Sequence, residues 1–277
     1  MQRKALFTDL DGTLIDFNNY GFALTLPRVK NYLEEGWTIV FCSSKTWAEQ
    51  IALMDAMGIT IPAIVENGAG LYLPPEWPQS TQHPLHRICP DGGRLYRLGP
   101  TSDEVRAVIH VVEPELGLDL APYHRLDADQ LSDITGLSCD AARRAQARDF
   151  SETLTAPLTT EAINRLNTRL AQHQLQAVCG GRFHTVTGMQ VEKGKALRTL
   201  LALFEATTGD MGWESHGIGD GPNDLSMLQA VDRAYLVQKP DHSWIPTRLP
   251  HVQLIPAVGP QGWLLAFPRL IEPLPLR

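Results

Sequence analysis

Two aspartates one residue apart, Asp9 and Asp11, close the short apolar run Ala5-Leu6-Phe7-Thr8 and lead straight into Gly12-Thr13. A strand that ends this way presents one carboxylate able to attack an electrophile and a neighbour able to move protons, which is the chemistry of phosphoryl transfer. The same residues would also make an ordinary strand end with an Asp-Gly turn. A second constellation, Gly217-Ile218-Gly219-Asp220-Gly221-Pro222-Asn223-Asp224, puts Asp220 at a strand end and Asp224 in the turn or first helical turn after it. Such carboxylates suit a hard divalent cation with oxygen ligands, most simply Mg2+, which would neutralise a phosphate approaching Asp9. Read alone, the segment is also a capped helix start. The two aspartate-rich strand ends explain each other.

Two further residues fall where this chemistry needs them. The run Thr38 to Cys42 ends in Ser43, whose hydroxyl would reach a phosphoryl oxygen; Ser43 or Ser44 would equally cap the next helix. Lys193 precedes a helix and would hold nucleophile and phosphate together as a point charge. The chain has six lysines, and the pair Lys193 and Lys195 stands at this one junction.

Elements that position these groups can be read from periodicity. Up to about residue 80, short β-rich runs alternate with helical stretches: strands near 5–8, 38–42 and 63–65, and helices near 26–35 and 46–57, closed by Gly36 and Gly58. From 74 to 100 the composition turns to proline, glycine and histidine and reads as a linker. A second unit follows to about 188, with helical patterns near 102–113, 137–147 and 160–173 and strand-like runs at 176–179 and 183–187. The first pattern then resumes: helices near 194–206 and 223–231, and strands near 216–219 and 234–237. This predicts an α/β protein, a Rossmann-like parallel sheet core with an inserted α/β cap domain. The core takes 1–82 and 189–277, and the cap takes 83–188. In such sheets, ligands bind at the carboxyl ends of the strands.

The chain has 277 residues, 43% hydrophobic and 20% charged, which is ordinary for a globular protein with a sizeable core. A net charge of -7 provides no basic footprint, so neither nucleic acid nor an anionic membrane is an expected partner. Cys42, Cys89, Cys139 and Cys179 lie far apart, without metal-ligand or redox spacing, and predict reduced, mostly buried thiols in a cytoplasmic protein. The N-terminus reaches charged Asp9 too early for a signal peptide. Prolines and charges break even the greasy stretch from Trp263 to Ile271, so no membrane span is expected.

Asp9-x-Asp11-Gly12-Thr13, Ser43, Lys193-Gly194-x-Ala196 and Gly219-Asp220-x-x-Asn223-Asp224 resemble the four ordered motifs of the haloacid dehalogenase superfamily of phosphatases. A narrower resemblance joins Cys42-Ser43-Ser44-Lys45-Thr46, Glu66-Asn67-Gly68-Ala69, Arg148-Asp149-Phe150-Ser151-Glu152, Gly181-Arg182-Phe183-His184 and Val237-Gln238-Lys239-Pro240 to the mannosyl-3-phosphoglycerate phosphatase family. Two departures stand out: Thr153-Leu154 follows Glu152 where a proline is expected, and 73–100 matches no family pattern. The resemblance implies Mg2+-dependent phosphomonoester hydrolysis through a phosphoaspartyl intermediate. Asp9 would be the nucleophile, Asp11 the acid and base, and Ser43 and Lys193 the phosphoryl clamps. The metal would rest on Asp9, the Asp11 carbonyl, Asp220 and, directly or through water, Asp224. The implied substrate is a small phosphorylated sugar, most specifically mannosyl- or glucosyl-3-phosphoglycerate, and the product is a glycosylglycerate that serves as a compatible solute. Gly12, Ser44, Lys45, Asn67, Arg148, Arg182, His184 and Asn223 are the implied substrate contacts. The cap contains arginine and no lysine, and a guanidinium grips carboxylate or phosphate bidentately, which singles out Arg148 and Arg182. Alternatives are a phosphatase for another sugar phosphate such as sucrose phosphate, a sugar phosphomutase on the same core, or a sensor. A sensor would usually have lost Asp9 or Asp11. The sugar and the oligomeric state stay open.

Overall fold

In a computed structural model, the structure describes residues 3–180, 182–208 and 212–267. Gly181 of the Gly181-to-His184 segment lies outside them, as do the residues after Phe267 in the expected apolar C-terminal stretch. Twelve strands are described: β1 (Arg3–Thr8), β2 (Thr38–Cys42), β3 (Ala63–Val65), β4 (Gly70–Leu73), β5 (Leu85–Ile88), β6 (Arg94–Arg97), β7 (Glu152–Leu154), β8 (Leu175–Gly180), β9 (Phe183–Gly188), β10 (Trp213–Gly219), β11 (Arg233–Gln238) and β12 (Val252–Val258). Nine of them form one sheet in the order β12-β11-β10-β1-β2-β3-β4-β6-β5, and the others form a second sheet, β7-β9-β8. From β12 to β3 every pairing is parallel, and β4, β6 and β5 extend the sheet antiparallel.

The sheet's centre is apolar on both sides, as parallel strands covered by helices must be. In β2 all five residues are buried. Leu6, Ile39 and Phe41 face one core with Tyr32, Met54 and Trp263. Ala5, Phe7, Val40 and Cys42 face the other with Leu197, Leu200 and Phe204. The helices that supply these layers are α1 (Leu26–Glu34) and α2 (Trp47–Met57) early in the chain. The second sheet packs its apolar face on α3 (Ser102–Leu116) and α6 (Thr160–Ala171), while α4 (Ala128–Thr135) and α5 (Cys139–Gln146) form a small cluster with Tyr123. After the second sheet come α7 (Lys193–Thr208), α8 (Leu225–Ala230) and α9 (Gln261–Ala266). The α/β architecture with a parallel-dominated sheet is the expected one.

Three features depart from the sequence expectations. The segment read as a linker contributes β5 and β6 to the large sheet, so residues expected at the start of the inserted unit pair with the first one. β5 is an exposed edge strand, and its turn is closed by backbone bonds between Cys89 and Gly93 and between Gly92 and Cys89. A strand with water on its outer side needs no apolar run, and flanking proline and glycine hide what period remains. The thiols also differ: Cys42 and Cys89 are buried, Cys139 is half-buried and Cys179 is exposed on β8, an edge strand of the small sheet. Finally, β4, β7, β12, α4 and α9 had no counterpart in the reading of periodicity.

Candidate active site

The carboxyl ends of β1, β2, β3 and β10 converge on one point. After β1 the chain is turned by Gly12 at φ 75°, and the turn is closed by Gly12 N donating to Ile15 O at 2.9 Å and Ile15 N donating to Leu10 O at 3.0 Å. This leaves Asp9 6% exposed, with Thr13 Oγ1 donating to its Oδ2 at 3.3 Å. Lys193 begins α7 and is buried; its Nζ donates to Asp9 Oδ1 and to Asp224 Oδ1, both at 2.6 Å. Asp224 Oδ2 accepts from the amides of Asp220 at 3.1 Å and Gly221 at 2.9 Å. Both Asp224 oxygens are therefore engaged in orienting Lys193 and the turn that carries Asp220. Gly219 makes this possible, because a Cβ there would stand 2.4 Å from Asp224 Cγ.

Burial pushes the Asp9 carboxyl well above the usual aspartate range, the charge of Asp224 adds to this, and Lys193 opposes it. Asp220 is pushed up to about 7, first by burial and then by Asp224. Burial alone would lower Lys193, but the carboxylates of Asp224 and Asp9 outweigh it and hold the ammonium well above its ordinary value. Oxygens of Asp9, Asp220 and Asp224 lie within 4.8 Å of one another. Raised carboxyl pKa values beside a cluster of hard oxygen donors suit a divalent cation, whose positive charge would add to that of Lys193.

Asp11 stands on the other side of the turn. Its Oδ2 pairs with Lys45 Nζ at 3.0 Å, and Lys45 reaches Glu49 at 3.6 Å. Its Oδ1 is buried without a partner. Burial raises the Asp11 pKa and Lys45 lowers it, so the raised carboxyl can carry a proton, as a general acid must. Lys45 is placed by the start of α2, where Thr46 and Glu49 form a reciprocal capping box. Ser43 is buried at the end of β2, and its Oγ accepts from Lys45 N at 3.3 Å.

Glu66 and Asn67 follow β3 in left-handed conformations, at φ 50° and 61°. Asn67 Oδ1 accepts from Asn223 Nδ2 at 3.1 Å, which brings these two expected contacts together beside the Asp220 turn. Glu66 is 1% exposed, and its carboxylate grips a segment of the inserted unit. It accepts from Asp149 N at 2.7 Å, from Phe150 N at 3.2 Å and from Ser151 Oγ, and pairs with Arg148 Nε at 3.5 Å. Arg148 also donates to Ser151 Oγ at 2.8 Å and to Ser44 O at 3.1 Å. Thr46 Oγ1 donates to Arg144 O at 2.9 Å nearby. Arg148 thus joins the inserted unit to the loop carrying Ser43 to Lys45.

Arg182 and His184 are not brought to this group. Arg182 donates to Ile134 O at 2.9 Å and Thr135 O at 3.3 Å, at the carboxyl end of α4. His184 pairs with Leu154 and shares the face of β9 that carries Val186, which packs toward α3 and α6. Glu49 was not singled out from the sequence, and Thr13 and Glu66, quoted within motifs, were given no role of their own. A buried-type strand running into an acidic residue, Ala63-Ile64-Val65-Glu66, was the available signal for Glu66.

A profile of haloacid dehalogenase-like hydrolases matches residues 6–84. The glucosyl-3-phosphoglycerate/mannosyl-3-phosphoglycerate phosphatase of Methanococcoides burtonii is 30% identical over 273 residues, covering 97% of each chain. Among solved structures, BT1666 from Bacteroides thetaiotaomicron has a TM-score of 0.62 at 17% identity, covering 96% of this chain and 95% of its own. The Thermoplasma acidophilum protein 0175 has a TM-score of 0.61 at 15% identity, covering 87% and 88%. Those two structures speak for the fold, and the relative of equal length speaks for the family. The chain belongs to the haloacid dehalogenase-like hydrolases and is a phosphatase of that family.

Proposed function

We propose that the protein is a Mg2+-dependent phosphomonoester hydrolase that removes phosphate from a glycosyl-3-phosphoglycerate, mannosyl or glucosyl, through a phosphoaspartyl intermediate on Asp9. The observation that carries the reading is the position of Asp9 between the Lys193 ammonium, at 2.6 Å, and the Asp220 carboxylate. Asp9, Asp220 and the Asp11 carbonyl would hold the cation, with Asp224 acting through water because both its oxygens are already bound. When bound, Mg2+ neutralises phosphoryl charge and favours the ionised form of Asp9.

The protein's own groups carry the remaining steps. Lys193 and the Ser43 hydroxyl bind phosphoryl oxygens and hold phosphorus against Asp9, and this positioning supplies most of the catalysis in phosphoryl transfer. Asp9 attacks phosphorus, the bond to the leaving oxygen breaks, and Asp11 delivers its proton to that oxygen. Asp11 then takes a proton from water as it attacks the phosphoaspartate, releasing inorganic phosphate and restoring Asp9. The inserted unit, which we place at about 101–188, forms the wall that faces the leaving group. The glycosyl-3-phosphoglycerate assignment is supported by the full-length relationship to the Methanococcoides burtonii phosphatase.

The test is phosphate release from glycosyl-3-phosphoglycerates and a panel of sugar phosphates, with wild type and Asp9→Asn side by side. Highest kcat/KM on a glycosyl-3-phosphoglycerate and no turnover by Asp9→Asn are expected. Preference for sucrose phosphate, or transfer of phosphate to a sugar hydroxyl, would replace the substrate reading. Full activity in Asp9→Asn would remove the covalent mechanism.

A further inference from the structure

The general acid touches the leaving oxygen, so the groups just beyond Asp11 must meet whatever that oxygen is attached to; this step rests on the roles proposed above. Beyond Asp11 comes Lys45, and the Lys45 ammonium lies 4.9 Å from the ring centroid of Tyr20. Tyr20 is 43% exposed and its neighbour Phe17 47%. Phe17 also borders the catalytic turn, since a Cβ on Gly12 would lie 3.5 Å from Phe17 Cδ2 and 3.1 Å from Asp220 Oδ2. Two part-exposed aromatic rings therefore flank the catalytic turn, Tyr20 with one face on Lys45 and the rest open, and Phe17 beside Gly12.

The loop that carries them is closed on itself. Asp16 N donates to Gly21 O and Tyr20 N to Asp16 O, both at 3.0 Å. Asp16 Oδ1 accepts from Asn18 N at 2.9 Å and Asn19 N at 3.1 Å, and Gly21 N donates to Asn19 Oδ1 at 2.7 Å. Within it Tyr20 takes φ 56°, a left-handed conformation that its neighbours Asn19 and Gly21 would adopt more easily. The left-handed position of the loop is held by an aromatic residue, and among the described residues no core cluster takes in its ring.

We propose that Tyr20, with Phe17 beside it, is the specificity-determining platform for the leaving group and takes the apolar C–H face of a pyranose ring. Aromatic rings offer a broad apolar surface with a negative face that suits polarised C–H groups. Lys45 and Glu49 at the platform's edge supply the polar partners for ring hydroxyls or a carboxylate, as orientation in such a pocket requires.

The experiment compares kcat and KM on the pyranose-bearing phosphate ester that wild type turns over best against ethyl phosphate, for Tyr20→Phe, Tyr20→Leu and Tyr20→Gly. Glycine relaxes φ 56°, so Tyr20→Gly keeps or raises Tm while removing the ring. Tyr20→Phe should hold the wild-type preference. Tyr20→Leu and Tyr20→Gly should raise KM for the pyranose ester with kcat little changed, lowering its kcat/KM relative to ethyl phosphate by about 3-fold to 10-fold. Equal change on both esters, no change in Tyr20→Gly, or a wild type that accepts no pyranose-bearing ester would overturn the proposal. If wild type ignores glycosyl-3-phosphoglycerates but turns over another pyranosyl phosphate, only the substrate named under the proposed function falls.

Discussion

Replacing Lys193 by methionine removes one buried positive charge and leaves two buried carboxylates facing each other. Their oxygens lie within 4.8 Å, so with both ionised and an effective dielectric constant near 20 the repulsion is about 3 kcal/mol. This agrees with the roughly 3–5 kcal/mol found when one partner of a buried pair is deleted. For a chain of 277 residues that lowers Tm by about 5–9 °C. The sign with pH follows from Asp9, whose carboxyl is already raised by burial and by Asp224 and rises further once Lys193 is gone. A proton on Asp9 relieves the repulsion, so the deficit is larger at high pH and the gap to wild type narrows as pH falls. Melts in chelator at pH 5 and pH 8 read the stability, and phosphate release, expected to fall about 100-fold or more, reads the lost clamp. An equal Tm deficit at both pH values, or wild-type turnover, would refute the electrostatic account.

Cation affinity should depend on pH with the opposite slope. Asp220 is pushed up to about 7, so below that pH a proton competes for the site and apparent Mg2+ affinity should fall up to about tenfold per pH unit; titration calorimetry at pH 6 and pH 8 measures it, and a flat profile would contradict the ligand assignment. Glu66→Gln should strip amide-exchange protection from Asp149 and Phe150 and cost about 1–3 kcal/mol or more, because one carboxamide cannot accept from both amides and leaves the Arg148 charge unbalanced. Its loss of kcat/KM should be alike for large and small esters, and unchanged protection of those two amides would show that Glu66 does not hold the segment.

The parts legible in the sequence are those whose geometry is local. Asp9 and Asp11 ride on a six-residue strand and a glycine turn, and Asp220 and Asp224 on a strand end and the turn after it, so spacing alone predicts a shared site. Lys193 was legible because it opens a helix near those ends in an otherwise lysine-poor chain. Arg148 illustrates the limit: its type and its place in the inserted unit suggested a substrate contact, whereas its bonds run to Glu66, Ser44 and Ser151. Nothing within a few residues of position 148 encodes that Glu66, 82 positions earlier, will be its partner. β5 was illegible for the opposite reason, since an exposed edge strand is specified by the neighbour it pairs with more than by its own pattern.

The grip of Glu66 on residues 149–151 restricts how the inserted unit can move. The chain enters and leaves the inserted unit side by side, for a Cβ on Gly188 would sit 2.9 Å from Pro100 Cδ. Two parallel crossings alone would make a door on a hinge. The third attachment is bonded to the entering crossing, where Ser102 N donates to Asp149 O at 2.8 Å, joins the unit to the loops of Ser43 and Asn67, and is dry and ionic, so opening the door means stripping charge from a carboxylate that water does not reach. Moving the inserted unit away from the large sheet therefore has to break an ionic contact shielded from water, which favours keeping the unit in one place against the loops it touches.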